Sequence, residues 1–220
     1  MSEFRLYAYV IRIWLSDRPG ALGAVASEIG AAGGDLIGID ILERGAGRAI
    51  DELIVELADP AQVPVLIGHL RAVDGVDVED IREVSDNAVD PRLDALDTAI
   101  ELVEARSVEA LLKVLASRGC RDFEADWASV IDHSAPEPLA SVGRAPEKPW
   151  IAAFLAGSKA SVRVAAGETG PDDVAWAALS SAELTLVLGR KGRPFRARER
   201  RQATALARIA DARWTALVRG

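Results

Sequence analysis

Between Leu6 and Val84 the apolar residues keep changing their spacing, and that alternation leaves few architectures open. Leu6 to Leu15 is apolar and β-rich, interrupted only by Arg12, and reads as a strand. From Ala21 to Ala32 the spacing turns helical, with Leu22, Val25, Ala26 and Ile29 on one face. Gly33-Gly34 ends that helix, because glycine accepts the left-handed conformation common at helix C-termini. Leu36 to Arg44 is the next strand, Gly45-Ala46-Gly47 a hairpin turn, and Ile50 to Leu57 a third strand. Asp59-Pro60 opens a turn. Pro64 sets the start of a second helix, since proline is tolerated in a first turn and not deeper. Leu66, Ile67, Leu70 and Val73 form its buried stripe, Asp74-Gly75 closes it, and Val76 to Val84 is the fourth strand.

The order β-α-β-β-α-β in so short a stretch predicts an α+β, ferredoxin-like unit: an antiparallel sheet with two helices on one face. Many unrelated functions use that plan, so function has to come from the loops. The first junction, Asp17-Arg18-Pro19-Gly20-Ala21-Leu22, is the informative one. Pro19 pre-sets the backbone for a helix start, and Gly20 puts no Cβ between the backbone and a guest. The first N–H groups of the helix, near Gly20, Ala21 and Leu22, lack partners within it and carry the positive end of its dipole. A small carboxylate suits such a place, and Asp17 could accept hydrogen bonds from an ammonium group. The plainer alternative stays open: Asp17 favours the helix start electrostatically, and Arg18 is solvated.

This loop, with Gly33-Gly34-Asp35-Leu36-Ile37 and the strand-ending Gly75-Val76, resembles the ACT domain, the amino-acid-sensing module of metabolic regulation. The resemblance covers roughly residues 6 to 85. It implies an amino-acid ligand where two ACT domains meet. With one copy per chain it implies a homodimer, in which the partner's second strand and its Gly34-Asp35 turn close the pocket. The candidate ligand-binding residues are therefore Asp17, Pro19, Gly20, Ala21, Leu22, Gly34 and Asp35, with Asp35 the one most readily explained as a turn residue.

The domain reading is an ACT-like domain at 1–85, a connecting helix at 86–106 and a second domain at 107–220. After Asp90-Pro91, Leu93, Leu96, Ile100 and Val103 recur at helical spacing, with Asp94, Asp97, Glu101 and Glu104 between them. Core packing and a partner helix both explain such a stripe. Ser107 suits an N-cap for a helix from Val108 to Ser117, ended by Gly119. Asp126 to Ile131, Trp150 to Leu155, Ser161 to Val164 and Leu184 to Leu188 read as strands. The prolines at 136, 138, 146 and 149 mark a long loop, Asp172 to Trp176 fits no one class, and Arg196 to Val218 is a closing helix. A strand followed by Gly189-Arg190-Lys191-Gly192, Pro194-Phe195 and a long helix resembles the end of a GAF domain. That resemblance implies an antiparallel-sheet α+β domain and names no ligand.

Composition narrows the chemistry. The chain is half hydrophobic with a net charge of -8 and a pI near 4.9, which excludes a molecule built wholly to bind nucleic acid. Arginines crowd residues 190–219, yet no helix-turn-helix or basic-aromatic pattern accompanies them, so nucleic acid is not the expected partner. One cysteine, Cys120, rules out an internal disulfide and a cysteine-clustered zinc site. Only His69 and His133 are available as imidazole bases. Asp132-His133-Ser134 are chain neighbours and so do not face each other as a triad would. Asp172-Asp173 alone is too few oxygens for a hard cation. No catalytic set, metal site or cofactor is expected, nor any membrane span, and a cytoplasmic location fits. The expected protein is a non-enzymatic amino-acid sensor. A regulatory subunit of a separate enzyme, an ACT half serving only dimerisation, and an enzyme with its site in the second half are the rivals.

Overall fold

The computed structural model describes residues 6–84, 91–132, 134, 137–158 and 173–219. The chain falls into two compact units, residues 1–90 and 91–220, each mixing helices with an antiparallel sheet.

The first unit runs β1 (Tyr7–Ser16), α1 (Ala21–Ala31), β2 (Asp35–Gly45), β3 (Arg48–Leu57), a 3₁₀ turn (Pro60–Gln62), α2 (Val63–Ala72) and β4 (Asp77–Val84). The strands lie in the order β2-β3-β1-β4, all neighbours antiparallel. This is the ferredoxin-like arrangement expected from the alternating patterns. Tyr9, Ile11, Ile13 and Leu15 of β1 and Leu53, Val55 and Leu57 of β3 form one core with Val25, Ile29, Leu66 and Leu70 of the helices. The two-residue period sends Ala8, Val10, Arg12 and Trp14 to the opposite face.

Two devices set the helix ends. The Gly34 N–H donates to the Ile29 carbonyl and the Gly33 N–H to the Gly30 carbonyl, both at 3.0 Å, with Gly33 at φ 80°. That is a Schellman end, and it satisfies two of α1's last carbonyls. Before α2, the Asp59 carboxylate accepts the Ala61 N–H at 2.8 Å while the Gln62 side chain accepts the Asp59 N–H at 3.2 Å. This capping box leads into α2 one residue before Pro64. His69 Nδ1 lies 2.7 Å from Glu28 Oε2, tying α2 to α1.

The second unit runs α3 (Pro91–Glu104), α4 (Val108–Asp122), β5 (Trp127–Asp132), β6 (Ala140–Gly143), α5 (Lys148–Ser158), β7 (Val174–Leu179), β8 (Leu184–Gly189) and α6 (Ala197–Arg219). Its sheet has the order β6-β5-β8-β7. Leu102, Leu111, Leu115, Ala128, Val130, Leu186, Leu188, Ala203 and Ala207 share its main core. The helix expected as a connector over residues 86–106 is α3, and Leu102 and Ala105 pack inside this unit.

Several elements here differ from the sequence expectation. Trp150–Leu155 is helix and not strand. Ile151 and Leu155, four apart, are both buried, and Trp150 stacks on Phe154 with ring centroids 5.7 Å apart. Pro149 sits in the helix's first turn, where its missing N–H is harmless. Strand β6 lies inside the stretch expected as loop, and β7 (Val174–Leu179) overlaps the stretch Asp172 to Trp176 that the sequence assigned to no one class. Gly119 does not end its helix. α4 continues to Asp122, and a Cβ at Gly119 would sit 3.2 Å from Leu188, so this glycine lets the helix approach the sheet. Ser107 does cap α4, its hydroxyl accepting the Ala110 N–H at 3.1 Å. The α3 stripe faces outward: Leu93, Leu96, Ile100 and Val103 are 53–60 % exposed, while Thr98 and Leu102 face inward. The strand expected at Ser161–Val164, and also His133 and Asp172, lie outside the described residues.

Candidate functional site

β1 hands over to α1 through a loop whose backbone is largely self-satisfied. The Asp17 N–H donates to the Gly47 carbonyl at 2.9 Å, binding the loop to the β2–β3 turn. The Arg18 N–H donates to the Ser16 carbonyl at 2.9 Å, and the Ala21 N–H to the Arg18 carbonyl at 3.3 Å. Gly20 sits at φ 86°, which L-residues with side chains seldom adopt. A Cβ built there would meet nothing within 4 Å. Glycine at this position thus serves the backbone angle, and the space above it is open. The Leu22 and Gly23 N–H groups meet no protein carbonyl among the described residues, as the start of a helix dictates. Ala21 is buried and Leu22 packs on the core, so their side chains anchor α1 while their backbone faces the loop.

Asp17 is already engaged. Its two carboxylate oxygens accept from Arg44 Nε at 3.1 Å and Arg44 Nη2 at 2.6 Å. This fork crosses from the loop to the end of β2. Arg18 and Asp74 approach at 3.8 Å, both exposed, which is the solvated pairing that the plainer reading describes. Gly34 is hemmed in: a Cβ there would lie 2.9 Å from Val55 and 3.1 Å from Ile29. Packing of the helix end against β3 accounts for it. Asp35 opens β2, exposed, opposite Glu56.

Two residues of this region escaped the sequence reading. Arg44 is one. The other is Asp51, placed opposite Ile13 of β1 and Ile41 of β2 on the helix-facing side of the sheet. It is 3 % exposed, and its Oδ1 has no hydrogen-bond partner among the described residues. Burial pushes its carboxyl above the usual carboxylate range; Arg44 pulls it partly back, and Asp17 pushes it up again. The Arg44 guanidinium is in turn held charged by its bonds to Asp17, with Asp51 adding to the same effect. Asp17, Arg44 and Asp51 are thus one electrostatic group of two acids and one base. A signal for Asp51 was present: it falls in phase with Leu53, Val55 and Leu57, an acid at a position whose neighbours two and four residues on are core.

β2 is an edge strand, and beside this group it presents Ile37, Ile39 and Ile41, 39–45 % exposed. The opposite face of the sheet has a shallow hollow of about 320 Å³, lined by Trp14, Glu43, Arg48 and Ile50 among others. Trp14 Nε1 donates to Glu79 there at 2.8 Å, and the Arg48 guanidinium lies over the Trp14 ring while bonding Asp77.

Residues 9–75 match the sequence profile of the ACT domain family. The first unit carries an ACT domain. Such a domain implies a regulatory, ligand-binding role in general, and ACT domains commonly bind small ligands and dimerise. Among solved structures the chain is similar to the ACT domain from GTP pyrophosphokinase of Chlorobium tepidum, at 19 % identity over 36 % of this chain and 100 % of that one, TM-score 0.30. It is also similar to an uncharacterized protein from Thermotoga maritima, at 20 % identity over 37 % of this chain and 100 % of that one, TM-score 0.30. A formyltetrahydrofolate deformylase from Pseudomonas putida matches at 13 % identity over 36 % of this chain and 29 % of that one, TM-score 0.27. No curated protein matches the chain.

Outside the ACT domain, Ser134, Cys120 and the buried arginines of the basic stretch have structural partners. Ser134 donates from its N–H and its hydroxyl to Asp132 Oδ1, at 2.7 and 2.6 Å, forming a local turn. Cys120 Sγ lies 3.0 Å from the Ala125 carbonyl, and burial pushes its thiol up, away from the reactive thiolate. In the basic C-terminal stretch, buried Arg190 donates to the carbonyls of Phe123, Arg193 and Pro194 and to Glu199. Arg200, also buried, donates to the Val174 carbonyl. Among the described residues no cluster of three or more metal-binding side chains occurs, and no helix is long and apolar enough to cross a membrane.

Proposed function

We propose that this protein is a non-enzymatic regulator whose ACT domain binds a small amino acid at the β1–α1 loop. What carries the reading is the start of α1. The Leu22 and Gly23 N–H groups and the helix dipole form a receptor for a carboxylate, beneath the open space over Gly20. Arg44 stands at the same loop through Asp17. The pocket is completed by a second copy of the chain, whose edge strand β2 and Gly34-Asp35 turn cover the loop. The exposed Ile37, Ile39 and Ile41 supply apolar surface for that pairing. The outward α3 stripe, spaced three, four and three residues apart like the seam of a coiled coil, offers a further apolar surface to a second copy. The second unit is read as GAF-like on its strand β8, the Gly189–Gly192 turn and the closing helix α6. A cytoplasmic location belongs to the same proposal.

Thermal unfolding against the common L-amino acids tests it. A ligand at about 100 times its dissociation constant stabilises the native state by about 2.7 kcal/mol. For a chain of this length the melting temperature then rises by about 5–10 °C. A rise with one amino acid or a few related ones is the expected result. No rise with any of them removes the sensor reading and leaves the ACT domain as a pairing or docking module.

A further inference from the structure

We propose that Asp51 is the receptor for the ligand's ammonium group, so that the site selects amino acids over the corresponding 2-hydroxy and 2-oxo acids. The inference rests on the amino-acid reading above and assigns a role that sequence reasoning gave to Asp17. Asp17 is a poor candidate because both its oxygens already hold Arg44. Asp51 is the opposite case: its Oδ1 is buried among the described residues with no donor reaching it. A buried acceptor without a donor is costly, and natural folds rarely keep one without a functional reason.

The chemistry of the surroundings says what kind of guest fits. Asp51 and Asp17 bring two negative charges and Arg44 one positive charge, so the group is one cation short. On the β2 side the group lies under the edge strand, where Ile39 and Ile41 are partly exposed and Ile41 is Asp51's direct cross-strand neighbour. A hard metal ion would need six or more oxygen ligands, and a neighbouring guanidinium repels it. An ammonium group needs only acceptors. Carried on an amino acid, it arrives with a carboxylate that the α1 start can receive. The two ends of a zwitterion thus find opposite receptors in one patch.

The test uses the full-length chain and calorimetric titration with common L-amino acids, with lactate and glycolate as the amine-free partners of alanine and glycine. For whichever amino acid binds, its 2-hydroxy analogue is titrated in parallel. Asp51→Asn should weaken amino-acid binding by about thirtyfold or more, the loss typical of removing one member of a buried charged pair. The 2-hydroxy analogue should bind the wild-type protein at least tenfold more weakly than the amino acid. If Asp51→Asn binds the amino acid as the wild type does, or the wild type does not distinguish the two ligands, the assignment of Asp51 is overturned while the sensor reading stands. If no amino acid binds the wild-type chain at all, the sensor reading fails and this inference with it. Should Asp51→Asn fail to fold, the analogue comparison on the wild type decides alone.

Discussion

Arg12 and Asp51 invite comparison. They lie on neighbouring strands of one sheet, one on each face, and both are almost wholly buried, at 1 % and 3 % exposure. Arg12 faces away from the helices and is tied by two bonds to Glu52, its cross-strand partner, at 3.1 and 2.8 Å. Arg82 joins the same carboxylate at 3.4 Å and reaches Asp80 at 3.3 Å. Asp51, one residue along from Glu52, faces the helices with its Oδ1 unpartnered among the described residues. A buried charge with its partners in place is part of the scaffold. A buried charge held without them marks a position that the fold alone does not explain.

Three variants test that contrast. The largest effect belongs to the satisfied side. Glu52→Gln leaves the Arg12 guanidinium buried without its main counter-charge and should cost about 3 kcal/mol in urea unfolding. A loss below about 1 kcal/mol would mean that the Arg12 network is not structural. Next comes Asp51→Leu, which matches the leucine two residues on and removes the unsatisfied oxygen. It should stabilise the ligand-free protein by about 1–2 kcal/mol near neutral pH, the reverse of what a structural carboxylate would do.

The same variant carries a pH signature. Because burial raises the folded-state value of Asp51, the native protein binds more protons than the unfolded chain once pH exceeds the ordinary aspartate value. Stability contributed by the protonated acid is full below that value and is lost as pH rises through the raised one. The difference between wild type and Asp51→Leu should therefore widen across that window, and parallel curves would count against a raised Asp51. The smallest effect is expected from Arg44→Gln. The Asp17–Arg44 fork is exposed, and exposed pairs contribute about 0–1 kcal/mol. Its loss should hardly move unfolding yet should raise Asp51 further, since Arg44 is the group that pulls it down. NMR titration of the Asp51 carboxyl would read this.

The two units differ in how much of them was legible. In the first, strands and helices announce themselves by a change of period, and glycines or prolines sit at the joints. Gly33-Gly34, Pro64 and the hairpin at Gly45-Ala46-Gly47 all fall where elements begin or end. In the second, short apolar runs carry no distinguishing period. Trp150–Leu155 could be strand or helix on its own. Its helical state follows from Ile151 and Leu155 entering a core with Trp176 and Val187, residues far along the chain. Likewise Gly119 looks like a helix end until Leu188 is seen pressing against it.

The order of elements in residues 6–84, the ACT-type loop at Asp17–Leu22 and the scarcity of histidine and cysteine were legible in the chain alone, because these depend on local spacing and composition. Which acids are engaged became visible only in three dimensions. Asp17 is exposed in chain order and looks available, but the β2–β3 turn brings Arg44 onto it. Asp51 looks like one more polar residue in a strand, but the register of three strands buries it between Ile13 and Ile41. Whether a charge is paired is a property of what lies across the fold from it, and no run of neighbouring residues records that.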